Sequence, residues 1–177
     1  SLRTTLEEKN IETREHADRI KKLSLSIGKA LELTDSSLDE LAIASDMHDI
    51  GKIGISDSIL LKADKLTEEE WSIIKKHPEI GYHIILSSPK LASIAEYILA
   101  HHERWDGKGY PRGLKENEIP LLSRIISIAD AYDAMTNTAS YRRKKTKEEA
   151  LEELHRCAGT QFDPDLVEVF CSILKLQ

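Results

Sequence analysis

Five of the seven histidines in this 177-residue chain stand where metal chemistry is easiest to build: His16, His48, His77, His101 and His102. His48 is followed at once by Asp49, and His101 by His102. Neighbours on a helix point about 100° apart, so adjacent ligands normally diverge. At a helix end that constraint relaxes, and both members of a pair can reach one point. His48-Asp49 runs into Gly51, and His101-His102 runs into a loop holding Gly107, Gly109, Pro111 and Gly113. An imidazole offers one nitrogen to one ion, whereas a carboxylate offers two oxygens and can bridge two ions. Asp130 adds a carboxylate to the apolar run Ile125 to Ala131, where a cation or several hydrogen bonds must offset its burial. A lone inward histidine is usually a satisfied core residue, and His83 and His155 fit that description. The joint pattern of the other five points to a multinuclear metal site and to hydrolytic chemistry. Imidazole and carboxylate ligands without thiolates suit Fe, Mn, Ni or Zn rather than a Cys-rich structural zinc site.

These groups need elements to position them, and helical periodicity is the dominant signal. A first helix is expected over residues 5–33, with His16, Ile20, Leu23, Ile27 and Leu31 on one face and Glu12 one turn ahead of His16. Ser37 to Glu40 reads as a capping box opening a second helix, which ends at Gly51 in a left-handed stop. Thr67 to Glu70 caps a third. His77, lying before Pro78, marks a break between helices. A further helix over 91–102 carries Ile94, Ile98 and the paired histidines. Pro120 opens the helix 121–135, and Thr146 and Asp163 cap the last two. No segment alternates like a strand. The expectation is one all-α bundle of about seven or eight helices over residues 12–177. Residues 1–11 are expected to be the end of a linker helix from an upstream region.

Composition narrows the function. Apolar residues make up 40% of the chain, enough for a core at this length. The net charge of −6 argues against a nucleic-acid polymer as partner. Cys157 and Cys171 form no CxxC pair and read as free thiols of a reducing compartment. No run of about 18 apolar residues and no leader-like start is found. The expectation is a cytoplasmic domain without membrane contact.

The motifs occur in a telling order: His-Asp-Ile-Gly-Lys (His48 to Lys52), His-Pro-Glu-Ile-Gly (His77 to Gly81), His-His-Glu with Asp-Gly-Lys-Gly-Tyr-Pro (His101 to Pro111), and Ala-Asp-Ala-Tyr-Asp-Ala-Met-Thr (Ala129 to Thr136). This order resembles the HD-GYP family, cyclic di-GMP phosphodiesterases of the HD superfamily of metal-dependent phosphohydrolases. The resemblance covers roughly residues 10 to 172. It implies a two-metal core held by His48, Asp49, His77, His101, His102 and Asp130, with Asp49 bridging. Glu12 and His16 match the extra ligands of members with a third ion. Lys52 matches the family's active-site lysine, so Lys52 and Asp49 are the expected catalytic groups. Two ions roughly 3.5–4 Å apart clamp a phosphodiester and activate a bridging water, whose hydroxide attacks in line. The implied reaction is hydrolysis of cyclic di-GMP, with pGpG or GMP as the end product.

By the same resemblance Gly109, Tyr110 and Pro111 line the substrate groove and offer a contact for diguanylate cyclase (GGDEF) domains. Asp133 matches a position near the substrate. The match fails after Thr136, where the family usually reads Ser-Asp-Arg-Pro-Tyr-Arg and this chain reads Asn137 to Arg142 with Ala139 and Ser140 in place of Arg-Pro. Alanine cannot replace a bidentate guanidinium, and Arg142 is the candidate substitute. Two alternatives therefore stand: hydrolysis of another cyclic dinucleotide, or a weakly active signalling module. An upstream sensor or receiver domain is expected, and the long first helix offers a surface for a homodimer.

Overall fold

The computed structural model describes residues 11–137 and 143–177, the side chains of 11–13 apart. The described residues are helical throughout, apart from loops and one isolated bridge between Ala158 and Phe162. Helix α1 spans Ile11–Ala30 and buries Ile20 and Ile27 completely. It stops earlier than the periodicity suggests. Glu32 adopts a positive φ of 56°, and the Leu33 N–H returns to the Gly28 carbonyl at 3.1 Å, which closes the open helix end.

Helix α2 spans Asp35–Met47, and its cap is Thr34 rather than Ser37: the Thr34 hydroxyl accepts the Ser37 N–H at 3.1 Å. The two side chains compete for one role, and the earlier one fills it. A 3-10 turn over Ile50–Gly54 follows. Gly51 is not the left-handed stop expected of it, because the positive-φ glycines are Gly107, Gly113 and Gly159. It is there for space: a Cβ on Gly51 would lie 1.8 Å from the His77 carbonyl oxygen and 2.7 Å from the Gly81 nitrogen.

Two short helices come next, α3 (Asp57–Leu60) and α4 (Glu68–Ile74). The capping box of α4 is complete, with the Glu70 N–H on the Thr67 hydroxyl at 3.1 Å and the Thr67 N–H on the Glu70 carboxylate at 2.9 Å. Helix α5 covers His77–Leu86 with Pro78 in its first turn. In place of the helix expected over 91–102 there is a 3-10 turn (Ala92–Ile94) and the single-turn α6 (Ala95–Leu99), so His101 and His102 lie just past a helix end. After the Gly-rich loop come α7 (Leu121–Asn137), α8 (Lys147–Arg156, capped by Thr146) and α9 (Pro164–Lys175, capped by Asp163). The long helices bear out the all-α expectation of a bundle of about this size.

Helix α1 packs on α2 and α7, α9 closes the far side against α1, α7 and α8, and α5 packs on the 50–54 turn and α6. Their apolar faces meet in one core around Ile20, Ile27, Ile125, Ile126, Leu154 and Phe170. Arg124 on α7 ties this core to α9, with its Nη1 2.6 Å from Asp163 Oδ2 and its Nε donating to the Ile119 carbonyl at 2.9 Å. The Asp163 side chain is buried and that of Arg124 is partly buried, so removing Arg124 leaves a buried carboxylate without its cation. Arg124→Met is expected to cost about 3 kcal/mol in urea denaturation. A loss well under 1 kcal/mol would show that the pair does not hold α7 to α9. No described helix is long and apolar enough to cross a membrane.

Candidate metal centre

Three helices end in a histidine that closes its own last turn. His48 caps α2, and its Nδ1 donates to the Ser45 carbonyl at 2.7 Å. His77 follows α4 and bonds the Ile74 carbonyl at 2.7 Å, while His101 follows α6 and bonds the Ile98 carbonyl at 2.5 Å. The last carbonyls of a helix lack backbone donors, and these imidazoles supply them. A carbonyl oxygen only accepts, so each Nδ1 carries the proton and each Nε2 presents a lone pair. This local device, used three times, turns three Nε2 atoms toward one point.

At that point stands Asp49. Its Oδ1 lies 3.2 Å from His77 Nε2 and 3.6 Å from His101 Nε2, and its Oδ2 lies 3.3 Å from His48 Nε2. Yet Asp49 Oδ1 and His48 Nε2, both buried, make no hydrogen bond. His77 Nε2 and His101 Nε2 also face each other at 3.3 Å. Lone pairs brought this close to one another and to carboxylate oxygens repel unless a cation lies among them. The donor set therefore fits divalent metal ions. It forms two groups that share Asp49: Asp49, His77, His101 and His102, and Asp49, His16 and His48, the candidate atoms of each within 4.8 Å of one another. Asp130, on α7, joins the second group through His16 Nε2 at 3.3 Å.

Burial and the nearby carboxylates pull the imidazoles in opposite directions. Burial, with His101 alongside, lowers His102 to about 2 and leaves it neutral. Burial also lowers His101. His16 goes the other way: burial opposes its charge, but hydrogen bonds to Asp130 and Asp133 prevail and raise it to about 9. Burial opposes ionisation of Asp130, yet His16 and His48 hold it at about 2. Burial likewise opposes ionisation of Asp49, and the charges of His48 and Lys52 outweigh it, keeping the carboxyl far below its usual range. Lys52 Nζ donates to Asp49 Oδ2 at 3.0 Å, and that carboxylate raises the ammonium's own pKa.

The structure thus brings together His16, His48, Asp49, Lys52, His77, His101, His102 and Asp130. The Glu12 side chain, Ala139 and Arg142 lie outside the described residues. Tyr110 sits on the His102 ring at 5.1 Å between centroids and 13° between planes, and Gly109 lies against the backbone of 102–104. Asp133 is the residue that the resemblance matches to a position near the substrate. It is buried, and its oxygens are taken by His16 Nδ1 at 2.5 Å, Arg19 Nε at 2.6 Å and Asn137 Nδ2 at 2.9 Å. Its location makes it a support for His16.

Sequence reasoning passed over Glu103, which is buried and accepts the backbone N–H groups of Arg112 at 2.7 Å and Leu114 at 3.0 Å. The signal was available: a carboxylate directly after two candidate ligands, ahead of a Gly-rich loop. Lys75, whose ammonium lies 5.5 Å from the Tyr110 ring centroid, carried no such signal.

Comparison with known proteins agrees with this geometry. The family model described as HD domain matches residues 1–166. A cyclic di-GMP phosphodiesterase of Thermotoga maritima is 44% identical over 171 residues, covering 96% of this chain and 46% of the relative. A 3'3'-cGAMP-specific phosphodiesterase of Vibrio cholerae is 40% identical over 171 residues, covering 96% of this chain and 33% of the relative. The chain therefore spans less than half the length of these curated relatives. Among solved structures, an HDG"Y"P protein from Bdellovibrio bacteriovorus shares the fold with a TM-score of 0.73 at 24% identity, over 92% of this chain and 52% of that one. With the HD pair, the paired histidines and the Gly-Tyr-Pro loop all in place around one cluster, this chain belongs to the HD domain family and is of the HD-GYP type.

Proposed function

We propose that residues 12–177 form a metal-dependent phosphodiesterase unit that opens cyclic di-GMP to pGpG and on to GMP. The observation that carries this reading is the buried Asp49 carboxylate shared by two donor groups. His77, His101 and His102 would hold one ion with Asp49, and His48 and Asp130 the other, with Fe or Mn the first choice. His16, with Glu12, would serve a third. Bound divalent ions supply Lewis acidity toward a phosphoryl oxygen and lower the pKa of a coordinated water. The chain does the rest. Its Nδ1-to-carbonyl bonds fix the imidazoles of His48, His77 and His101 before substrate arrives, so these three need no reorganisation at the moment of reaction. Lys52, with its side chain about 39% exposed, can reach a phosphate outside the cluster while its charge is anchored by Asp49. Gly109, Tyr110 and Pro111 would form the wall beside His102, and Arg142 would be a further substrate contact.

A second substrate is supported by one observation: the 40% identical relative is a 3'3'-cGAMP-specific enzyme. Ala139, where the family usually has arginine, is the position at which guanine contacts would be weakest. The deciding experiment loads protein with Fe(II) or Mn(II) without oxygen and offers cyclic di-GMP, 3'3'-cGAMP and cyclic di-AMP side by side. Preferred turnover of cyclic di-GMP is expected. A fully metallated protein that hydrolyses none of the three would sink the proposal. Lys52→Met in the same assay should lower kcat by about 10²-fold, the scale of losing one preorganised charge partner, with metal content retained.

A further inference from the structure

Of His48, His77, His101 and His102, the first three have their ring orientation fixed by a carbonyl three residues back. His102 does not: among the described residues its ring makes no hydrogen bond. It follows His101 directly, and a residue one step along a turn cannot use the same carbonyl at the same angle. What the His102 ring has instead is a parallel partner, Tyr110, at 5.1 Å and 13°. The His77 ring meets its edge at 4.9 Å and 87°.

Tyr110 is held there from several sides. Its backbone N–H returns to the His102 carbonyl at 3.3 Å, which folds the loop onto the residue it serves. Gly109 permits that approach, since a Cβ there would lie 2.4 Å from the Arg104 nitrogen and 2.6 Å from the His102 oxygen. Farther along, Glu103 clamps the loop shut through the N–H groups of Arg112 and Leu114. A buried carboxylate with two backbone donors and no cation partner in hydrogen-bond reach makes a directional lock. The Lys75 ammonium lies over the Tyr110 ring and favours the same ring position.

We propose that Tyr110 is a positioning residue for His102, presented by a loop that Glu103 locks. The stack does for this fourth imidazole what a helix-end carbonyl does for the other three. It leaves the His102 nitrogens free of a protein donor while restricting the ring's rotation. The inference rests on the reading of His102 as a metal ligand and adds that the Gly-Tyr-Pro loop belongs to the metal centre.

Because the stacking surface is the ring and not the hydroxyl, phenylalanine should serve and alanine should not. The experiment is a Co(II) titration of chelator-treated full chain, followed by the visible ligand-field spectrum and by circular dichroism for the fold. In Tyr110→Ala at least one Co(II) is expected to bind about 10-fold more weakly, as when a ligand's orienting partner is lost, with a changed spectrum and unchanged helicity. Tyr110→Phe should stay within about twofold of the parent. Glu103→Gln, which turns one acceptor into a donor facing an N–H, should move affinity in the same direction as Tyr110→Ala. Tyr110→Ala with parental affinity and spectrum would overturn the proposal while leaving the metal reading intact. So would Tyr110→Phe as weak as alanine, since that would assign the effect to the hydroxyl. A parent chain that binds no Co(II) would overturn both readings.

Discussion

Asp49→Asn is expected to remove turnover almost entirely, because no other side chain stands in both donor groups. Loss of one preorganised donor commonly costs about 10²–10³-fold in rate, and a shared carboxylate should exceed that range. The substitution keeps shape and volume but removes the charge that His48 and Lys52 face and one of the two carboxylate oxygens. A thermodynamic readout is available without substrate. A ligand present at a hundred times its Kd stabilises the folded state by about 2.7 kcal/mol. For a domain of this size, 1 kcal/mol corresponds to about 2–4 °C. Metal-loaded parent protein should therefore lose about 5–10 °C in Tm on chelation. In Asp49→Asn that chelator-induced drop should nearly vanish, and comparing each protein with itself cancels any change in baseline stability. Parental turnover with a parental chelator response would remove Asp49 from the centre of the chemistry.

Gly51→Ala is expected to be the most damaging single methyl group in the chain. Its Cβ would be placed 1.8 Å from the His77 carbonyl oxygen and 2.8 Å from the carbon behind it. Both belong to backbone, so no rotamer change relieves the overlap. The 50–54 turn and α5 must move apart, at a cost of about 3 kcal/mol or more. That displacement separates Asp49 from His77, now 3.2 Å apart, so metal affinity should fall together with stability. Gly54 offers a matched control: its added Cβ would meet only the Ile80 side chain, at 3.1 Å and beyond, which can shift. Gly54→Ala should cost about 1 kcal/mol or less and keep the parental metal content. Equal stability of Gly51→Ala and Gly54→Ala in urea denaturation would refute the close-approach account.

The sequence by itself determined which ionisable residues gather at one point and where most of the long helices lie. Paired ionisable residues at helix ends are readable because only a cation reconciles them with burial, and His48-Asp49 and His101-His102 sit at such ends. The caps at Thr67, Thr146 and Asp163 were equally legible, since a short side chain and the first free N–H groups are neighbours along the chain. Where two capping residues competed, at Thr34 and Ser37, spacing could not choose between them.

What only the tertiary structure decided lies in contacts between residues far apart in the chain. Gly51 reads as a helix stop from its neighbours, yet its reason is a carbonyl 26 residues away. The expected helix over 91–102 is a 3-10 turn and a single α-turn, and the His101 ring closes its end on the Ile98 carbonyl, an outcome periodicity cannot weigh. Asp133 meets His16 because α1 and α7 pack face to face, joining residues 117 apart in sequence. Glu103 and Tyr110 acquired their roles when the loop folded back over His102. Spacing along one helix fixes which side chains share a face. Which face meets which other, and whether a carboxylate then finds substrate or a histidine, is settled only by packing.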